Sequence, residues 1–452
     1  MNIQILPVAG QCSGSQPPFV RYTEVKSSGL KYYTLKYSVV FCVLVLLWGA
    51  TPPVLYSQDD PAKKRRQFCR PARSSKTEHL FLPFFLRFQG VGNFIGAGYI
   101  GKNALFDTAD VFFAQNVIDN PVSIAGIRNY TIPLFYSSVY AAGFYARSLQ
   151  LPYAFSRGMD KESFYYVRSD LQGALIGISM SLTEDRVFSA NFGFAFVDEK
   201  VTGVKNQEYQ LLFSPKRAVS LLSSDIYYTQ LKLDFTDSQF RPTAGIVTGF
   251  NYYSVYPKQL YSAFGSLELY LNFYIPFGNF VFSGHFLTSG TSVIDRREGG
   301  SDALVNELSE DCINQTGSNF SETEKADLCG LFARRFSDYL TGFNQKGTSA
   351  PLGGPNRLRS DMFYRYQGSR TNYQSLELRY VGFDLFNVPV EVALFADRGS
   401  TYDAGTAGQD KSERTATGIG IRGIGGDAIY RLDTAVGNDS AVGVNLTLDY
   451  PY

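Results

Sequence analysis

Arg359 stands in the segment LGGPNRLRSD, Leu352–Asp361, and two alternating segments follow it. In Asn372–Phe383 the apolar Leu376, Leu378 and Tyr380 alternate with Glu377 and Arg379; in Val388–Gly399 the apolar Val390, Val392, Leu394 and Ala396 leave Glu391 and Asp397 on the opposite face. A side-chain period of two sorts each set onto one face of a strand. Adjacent strands would then present Glu377 and Asp397 on one shared inner surface. A guanidinium brought to that surface forms charge-assisted hydrogen bonds with carboxylates, bidentate where the geometry allows. The chemistry is that of holding: a pair between Arg359 and Asp397, with Glu377 as a further partner. The alternative is that water in a pore solvates these charges, and the pair is the favoured reading.

The elements that position them are strands. At the C-terminus Val442, Val444, Leu446, Leu448 and Tyr450 alternate with Ala441, Gly443, Asn445, Thr447 and Asp449, an apolar stripe backed by small or polar residues. Composition separates a membrane strand from a soluble sandwich strand. Of 452 residues, 15% are aromatic, with 31 Tyr and 37 Phe but one Trp, and 18% are charged. That balance suits a lipid-facing band with aromatic girdles. A formal charge of +1 supplies no basic field for nucleic acid. The body of the chain has no apolar run of roughly 18 residues, so spanning helices are not expected there.

Read backwards from Tyr452, the alternating segments number about sixteen, an even count suited to an antiparallel transmembrane barrel with both ends on one side. The expected barrel covers residues 89–452, its first strand is Gln89–Ile100, and Gln207–Ser214 is among its members. Residues 289–371 form a long extracellular loop between strands 11 and 12 that folds into the lumen. Short connections at Asp384–Asn387, Gly425–Gly426 and Pro276–Phe277 are the periplasmic turns. Residues 1–57 read as an N-terminal extension and signal peptide, with SVVFCVLVLLWGA at Ser38–Ala50 as the apolar region. Residues 58–88 read as a periplasmic linker. Gly96 and Gly98 in the first strand and Gly443 in the last would make a weakly packed seam, or relieve crowding where the sheet curves; both readings stand. Cys312 and Cys329 could close a disulfide in an oxidising compartment, or remain two loop thiols. Two His and no CxxC pair leave nothing for a zinc site, no cofactor motif is present, and no nucleophile or nucleotide motif points to an enzyme.

The ordered series LGGPNRLRSD, SLELRY (Ser375–Tyr380), VALFADRG (Val392–Gly399), GIGIRG (Gly418–Gly423), YRLDTA (Tyr430–Ala435) and an aromatic C-terminus resembles the barrel of the outer-membrane assembly-factor superfamily, which includes BamA, TamA and the two-partner secretion transporters. GAGYIGKNALFDTAD at Gly96–Asp110 is similar to that family's opening hairpin. The loop tip departs from the family pattern, because Arg359 is followed by Ser360 and Asp361 where an Arg-Gly-aromatic sequence is usual. The resemblance implies that Leu352, Gly353, Gly354 and Leu358 frame the loop tip, that Arg359, Asp397 and Glu377 lock it in the lumen, and that the seam is a lateral gate. Too few residues separate Ser57 from Gln89 for a periplasmic domain of the family's type, so a barrel-only member is expected. The function implied is insertion or translocation of polypeptides, or of lipids, at the outer membrane of a Gram-negative-type bacterium. The bilayer, polypeptide substrates and separate periplasmic or lipoprotein subunits would be its partners. The alternative is a passive pore or a structural, surface-antigen barrel without insertase activity.

Overall fold

In the computed structural model, most residues between 78 and 447 are described; residues 1–77, residues 448–452 and short internal stretches lie outside the described residues. The expected signal peptide and the last residues of the expected C-terminal strand fall there.

The described residues form one antiparallel sheet of seventeen strands. Strands β1 (Glu78–Phe88), β2 (Gly92–Leu105), β3 (Ala109–Asn116), β4 (Val122–Ile132), β5 (Ser137–Tyr153), β6 (Tyr165–Ser181) and β7 (Phe188–Lys205) each pair with the next in sequence. The second half of the meander comprises β9 (Ser224–Asp234), β10 (Gly245–Pro257), β11 (Ala263–Phe277), β12 (Phe280–Asp295), β13 (Arg370–Leu385), β14 (Val388–Tyr402), β15 (Arg414–Gly425), β16 (Ala428–Gly437) and β17 (Val442–Thr447). Among the described residues, the short β8 (Leu211–Phe213) pairs with the far end of β7, at Val204 and Lys205, while β9 pairs with β7 at Phe188–Val197.

Two expectations are corrected here, and the corrections cancel in the strand count. In Gln207–Ser214, residues 207–210 lie outside the described residues, and the described part, β8, is three residues beside an overhanging end of β7 rather than a wall strand. The wall instead gains β1, inside the stretch expected as linker. HLFLPFFLRF is almost continuously apolar, so no alternation marks it, and Pro83 argues against a wall strand despite the four Phe. Sixteen wall strands remain, and the long insertion still falls between the eleventh and twelfth of them, β12 and β13.

The polarity of the wall is inverted relative to a soluble domain. On β11, Leu267, Leu269 and Leu271 are 40–46% exposed, whereas Ser266 and Glu268 are 1% exposed. Ile419 and Ile421 on β15, and Leu376 and Leu394 on β13 and β14, repeat the pattern. Apolar groups outside and polar groups inside are stable only where lipid is the outer solvent. Aromatic side chains on the inner wall lie over glycines of the neighbouring strands. Tyr140 and Tyr228 meet hydroxyl to hydroxyl across β6 and β7, over Gly177 and Gly193, where a Cβ would fall on their rings.

The insertion is a helical hairpin rather than the polar loop expected. α1 (Ser301–Gln315) and α2 (Glu322–Lys346) lead into the tip segment. Ser321 caps α2 through the Glu324 N–H, and the Glu324 carboxylate accepts from the Ser321 N–H in return. Phe332, Phe336, Tyr339, Leu340 and Phe343 of α2 are buried in a cluster with Phe155, Tyr165, Phe213, Tyr261 and Phe264, contributed by β5–β11 and their connections. Cys312 and Cys329 form a disulfide between the helices, with Cα atoms 5.7 Å apart. The pairing foreseen is present, but in a buried helix–helix contact. It closes a separation of 17 residues, for which chain entropy gives about 3 kcal/mol. Reduction is expected to loosen the hairpin while the wall stays folded. Faster amide exchange in residues 301–346, with none in β9–β12, is the check.

Loops also tie across the barrel mouth. Arg157, after β5, donates from Nε and Nη2 to the two carboxylate oxygens of Asp403, after β14, each at 2.6 Å, and Nη2 also reaches the Gly347 carbonyl at 2.7 Å. Gly158 pairs with Gln367. The helical hairpin and these crossings cover the mouth on the side opposite the short turns.

Candidate functional site

The tip of the insertion descends inside the wall of β12–β17. Leu352 and Tyr366 exchange backbone hydrogen bonds at 2.9 and 3.1 Å, forming the neck. Beyond it Gly353 and Gly354 adopt φ of 103° and 101°, a region costly for any residue with a Cβ. Their N–H groups donate to the carbonyls of Arg357 and Asp361, which closes the tip on itself. Leu352 and Leu358, both fully buried, pack with Leu287, Tyr366, Tyr373 and Phe395 into an apolar plug within the lumen. The four framing residues implied by the resemblance thus build the tip, two by conformation and two by packing.

Arg359 projects from this tip and is fully buried. Its Nε and Nη2 donate to the two carboxylate oxygens of Asp397 at 3.0 and 2.9 Å. Nη1 reaches Glu377 and Asp433, each at 3.2 Å, and Nη2 reaches the Ser375 hydroxyl at 3.1 Å. The guanidinium carbon lies 3.3 Å from the centre of the Phe395 ring, so the plane is stacked as well as forked. The backbone is held too: the Arg359 N–H donates to Asp397 at 3.0 Å, and the Arg359 carbonyl accepts from Asn445 Nδ2 at 2.8 Å. One residue of the insertion therefore touches β13, β14, β16 and β17.

Arg359, Asp397 and Glu377 are brought together as expected, and the pore-water alternative does not describe them, since their side chains are at most 1% exposed. The structure adds partners that the strand-by-strand reading did not name. Asp433 lies on the inner face of β16. Arg422 on β15 donates to Glu377 at 2.6 Å, and Arg431 on β16 donates to the Pro355 carbonyl and to Asn356 of the tip, both at 2.9 Å. Arg357 pairs with Glu268 of β11 at 3.0 Å, and Glu391 pairs with Arg241 at 2.5 Å. The same alternation applied to β15 and β16 would have found Arg422, Arg431 and Asp433, which sit opposite Ile421, Leu432 and Thr434. Nothing in the sequence indicated that the tip would reach across to Glu268.

The seam residues are redistributed. Gly96 and Gly98 lie in β2, paired with Phe84 and Leu82 of β1 on one side and with Asn116 and Ala114 of β3 on the other, so they are interior to the wall. Gly443 does lie in β17, where the approaching group is the loop tip. A Cβ there would fall 2.2 Å from the Arg359 carbonyl oxygen and 2.9 Å from Ser360 Cα. The loop tip is what crowds it.

No group of His, Cys, Asp and Glu able to hold a metal occurs among the described residues. His285 is buried on β12 with its Nδ1 against Asn272, an interior polar contact.

Sixteen wall strands, a lipid-facing apolar surface and a charged interior occupied by the chain's own loop define a transmembrane β-barrel of the outer-membrane type. No family model and no curated protein matches the chain. Among solved structures it is similar to BamA from Haemophilus ducreyi lacking POTRA domains 1-3, at TM-score 0.47 and 12% identity over 83% of this chain and 71% of that one. It is also similar to CdiB from Escherichia coli, at TM-score 0.49 and 10% identity, over 83% and 62% respectively. Wzi, an Escherichia coli outer-membrane carbohydrate-binding β-barrel, is similar at TM-score 0.32 and 8% identity over 88% and 90%. The chain spans less than two thirds of the CdiB length.

Proposed function

We propose that this barrel acts in inserting or translocating polypeptides at the outer membrane, with its long loop as the internal element that sets the state of the C-terminal wall. The observation that carries this reading is the Arg359 lock. A guanidinium with three carboxylates, a hydroxyl and an aromatic face, all removed from water, carries a large desolvation penalty, met only by its fixed partners. A barrel serving as a passive channel has no need to fill its lumen with a locked tip and its mouth with a helical hairpin. The order of motifs from Leu352 to the C-terminus supports the same reading. In this scheme the chain is not an enzyme. Its partners are the bilayer, unfolded polypeptide, and periplasmic or lipoprotein subunits that present the substrate.

The test is the folding of a urea-denatured outer-membrane barrel into liposomes containing this protein, beside empty liposomes and liposomes holding the Arg359→Ala variant. Acceleration over empty liposomes that is lost in the variant is the expected result. Steady ion conductance without acceleration would replace this reading with that of a pore.

A further inference from the structure

The lock and the last strand are a single mechanical unit. Resting on the reading that β17 forms one side of the opening seam, we infer that Asn445 and Gly443 are positioning residues through which the loop tip holds β17 against the wall, so that release of Arg359 frees this strand in particular.

The geometry is specific to the main chain of one residue. The Arg359 N–H is clamped by Asp397 of β14 at 3.0 Å, and its carbonyl by Asn445 of β17 at 2.8 Å. The tip main chain therefore bridges two strands that are not neighbours, while the Arg359 side chain engages β13, β14 and β16. Asn445 is fully buried and lies opposite Asp433 in the β16–β17 register. Hydrogen bonds between main chains hold β17 to β16 from Val442 to Thr447, and the tip touches β17 from within at Gly443 and Asn445. Gly443 makes the approach possible. It lies opposite Ala435, itself fully buried, and with a side chain at 443 the Arg359 carbonyl could not reach Asn445. Gly437 at the end of β16 does the same for Ser360, whose Oγ would lie 2.9 Å from a Cβ added there. Two glycines and an asparagine on adjacent strands thus form a seat for Arg359 and Ser360.

The consequence runs in both directions, because coupling between two sites is reciprocal. Loosening Arg359 should increase opening of β17, and loosening Asn445 should increase opening of the tip. Strands the tip does not touch should be unaffected.

Hydrogen–deuterium exchange of the full chain in phosphatidylcholine liposomes, with no substrate present, tests this. Loss of a hydrogen bond to a buried carbonyl should raise exchange at Val442–Thr447 about tenfold in Asn445→Ala, with a comparable rise in Arg359→Ala. The double variant should exchange no faster than the faster single one, and β4 should stay at the wild-type rate in all three. Asn445→Asp keeps the shape but opposes a carboxylate to the carbonyl, and it should match Asn445→Ala. Should Arg359→Ala not retain the heat-modifiable mobility of a folded barrel, Arg359→Lys replaces it, with a smaller rise expected at the same residues. Unchanged β17 exchange in the Arg359 variant, or multiplicative effects in the double variant, would overturn the inference. Because no substrate is involved, coupling found here alongside a failed insertion assay would refute the functional reading and leave this one standing.

Discussion

Arg359→Ala should lower the stability of the folded barrel by about 3–5 kcal/mol, the range for removing one partner of a buried ion pair. The size follows from what is left behind. Asp397, Glu377 and Asp433 surround the vacated position, and Asp397 and Asp433 are fully shielded from water, so the loss is that of uncompensated charge rather than of one weak contact. Glu377 keeps Arg422 at 2.6 Å, and Asp433 keeps Arg431 at 3.4 Å, but the carboxylate of Asp397 loses both bidentate bonds and retains only Ser375 and the Arg359 main-chain N–H. Arg359→Lys should fall between wild type and alanine, since a point charge can neither fork onto Asp397 nor stack flat on Phe395. Exchange of charges, Arg359→Asp with Asp397→Arg, should restore only part of the loss. The new aspartate would face Glu377 and Asp433, which a simple two-residue pair would not contain. The urea concentration at which the heat-modifiable band disappears, measured for wild type and these three variants, gives the order; equal stability of wild type and Arg359→Ala would show that the network contributes nothing net.

Phe336→Ala should destabilise the mouth by a similar amount, about 3–5 kcal/mol for truncating a buried aromatic, but with a different outcome. Phe336 is 1% exposed and lies edge-on to Phe155 at 5.2 Å between ring centres, at the middle of the cluster that seats α2. Its removal leaves a cavity between the hairpin and the loop after β5, while the wall strands and the Arg359 lock keep their contacts. The expected readout is a rise in ion conductance across planar bilayers, with the urea midpoint of the wall little changed. A fall in the midpoint with no change in conductance would mean that the cluster supports the wall rather than closing the mouth.

These two effects divide the insertion into parts that the sequence shows with unequal clarity. The tip was legible because Arg359 and the glycines before it stand in an ordered motif, and because alternation in β13 and β14 places Glu377 and Asp397 inward. The hairpin was not. Residues 301–346 read as a polar stretch, and the apolar face of α2 gains its meaning only from Phe155, Tyr165, Phe213 and Phe264, which come from four separate places in the chain. β1 was missed because a continuous apolar run has no period, and Gln207–Ser214 was taken for wall because a three-residue pairing on the end of β7 looks the same locally as the start of a strand.

By itself the sequence determined the class of protein, since a period of two repeated over some sixteen segments, combined with an aromatic-rich, charge-poor composition and the ordered motifs of the C-terminal part, sets a lipid-facing strand apart from a soluble sandwich strand. It also determined the chemistry of the lock, because alternation assigns each charge to a face without reference to any partner. Tertiary structure decided what those charges hold. Asp433 and Asn445 lie 74 and 86 positions after Arg359, and only the closing of the loop onto the inner wall brings them to its side chain and its carbonyl. The meaning of Gly443 was decided in the same way: a missing side chain records that something approaches closely, and only the fold shows that what approaches is the main chain of Arg359.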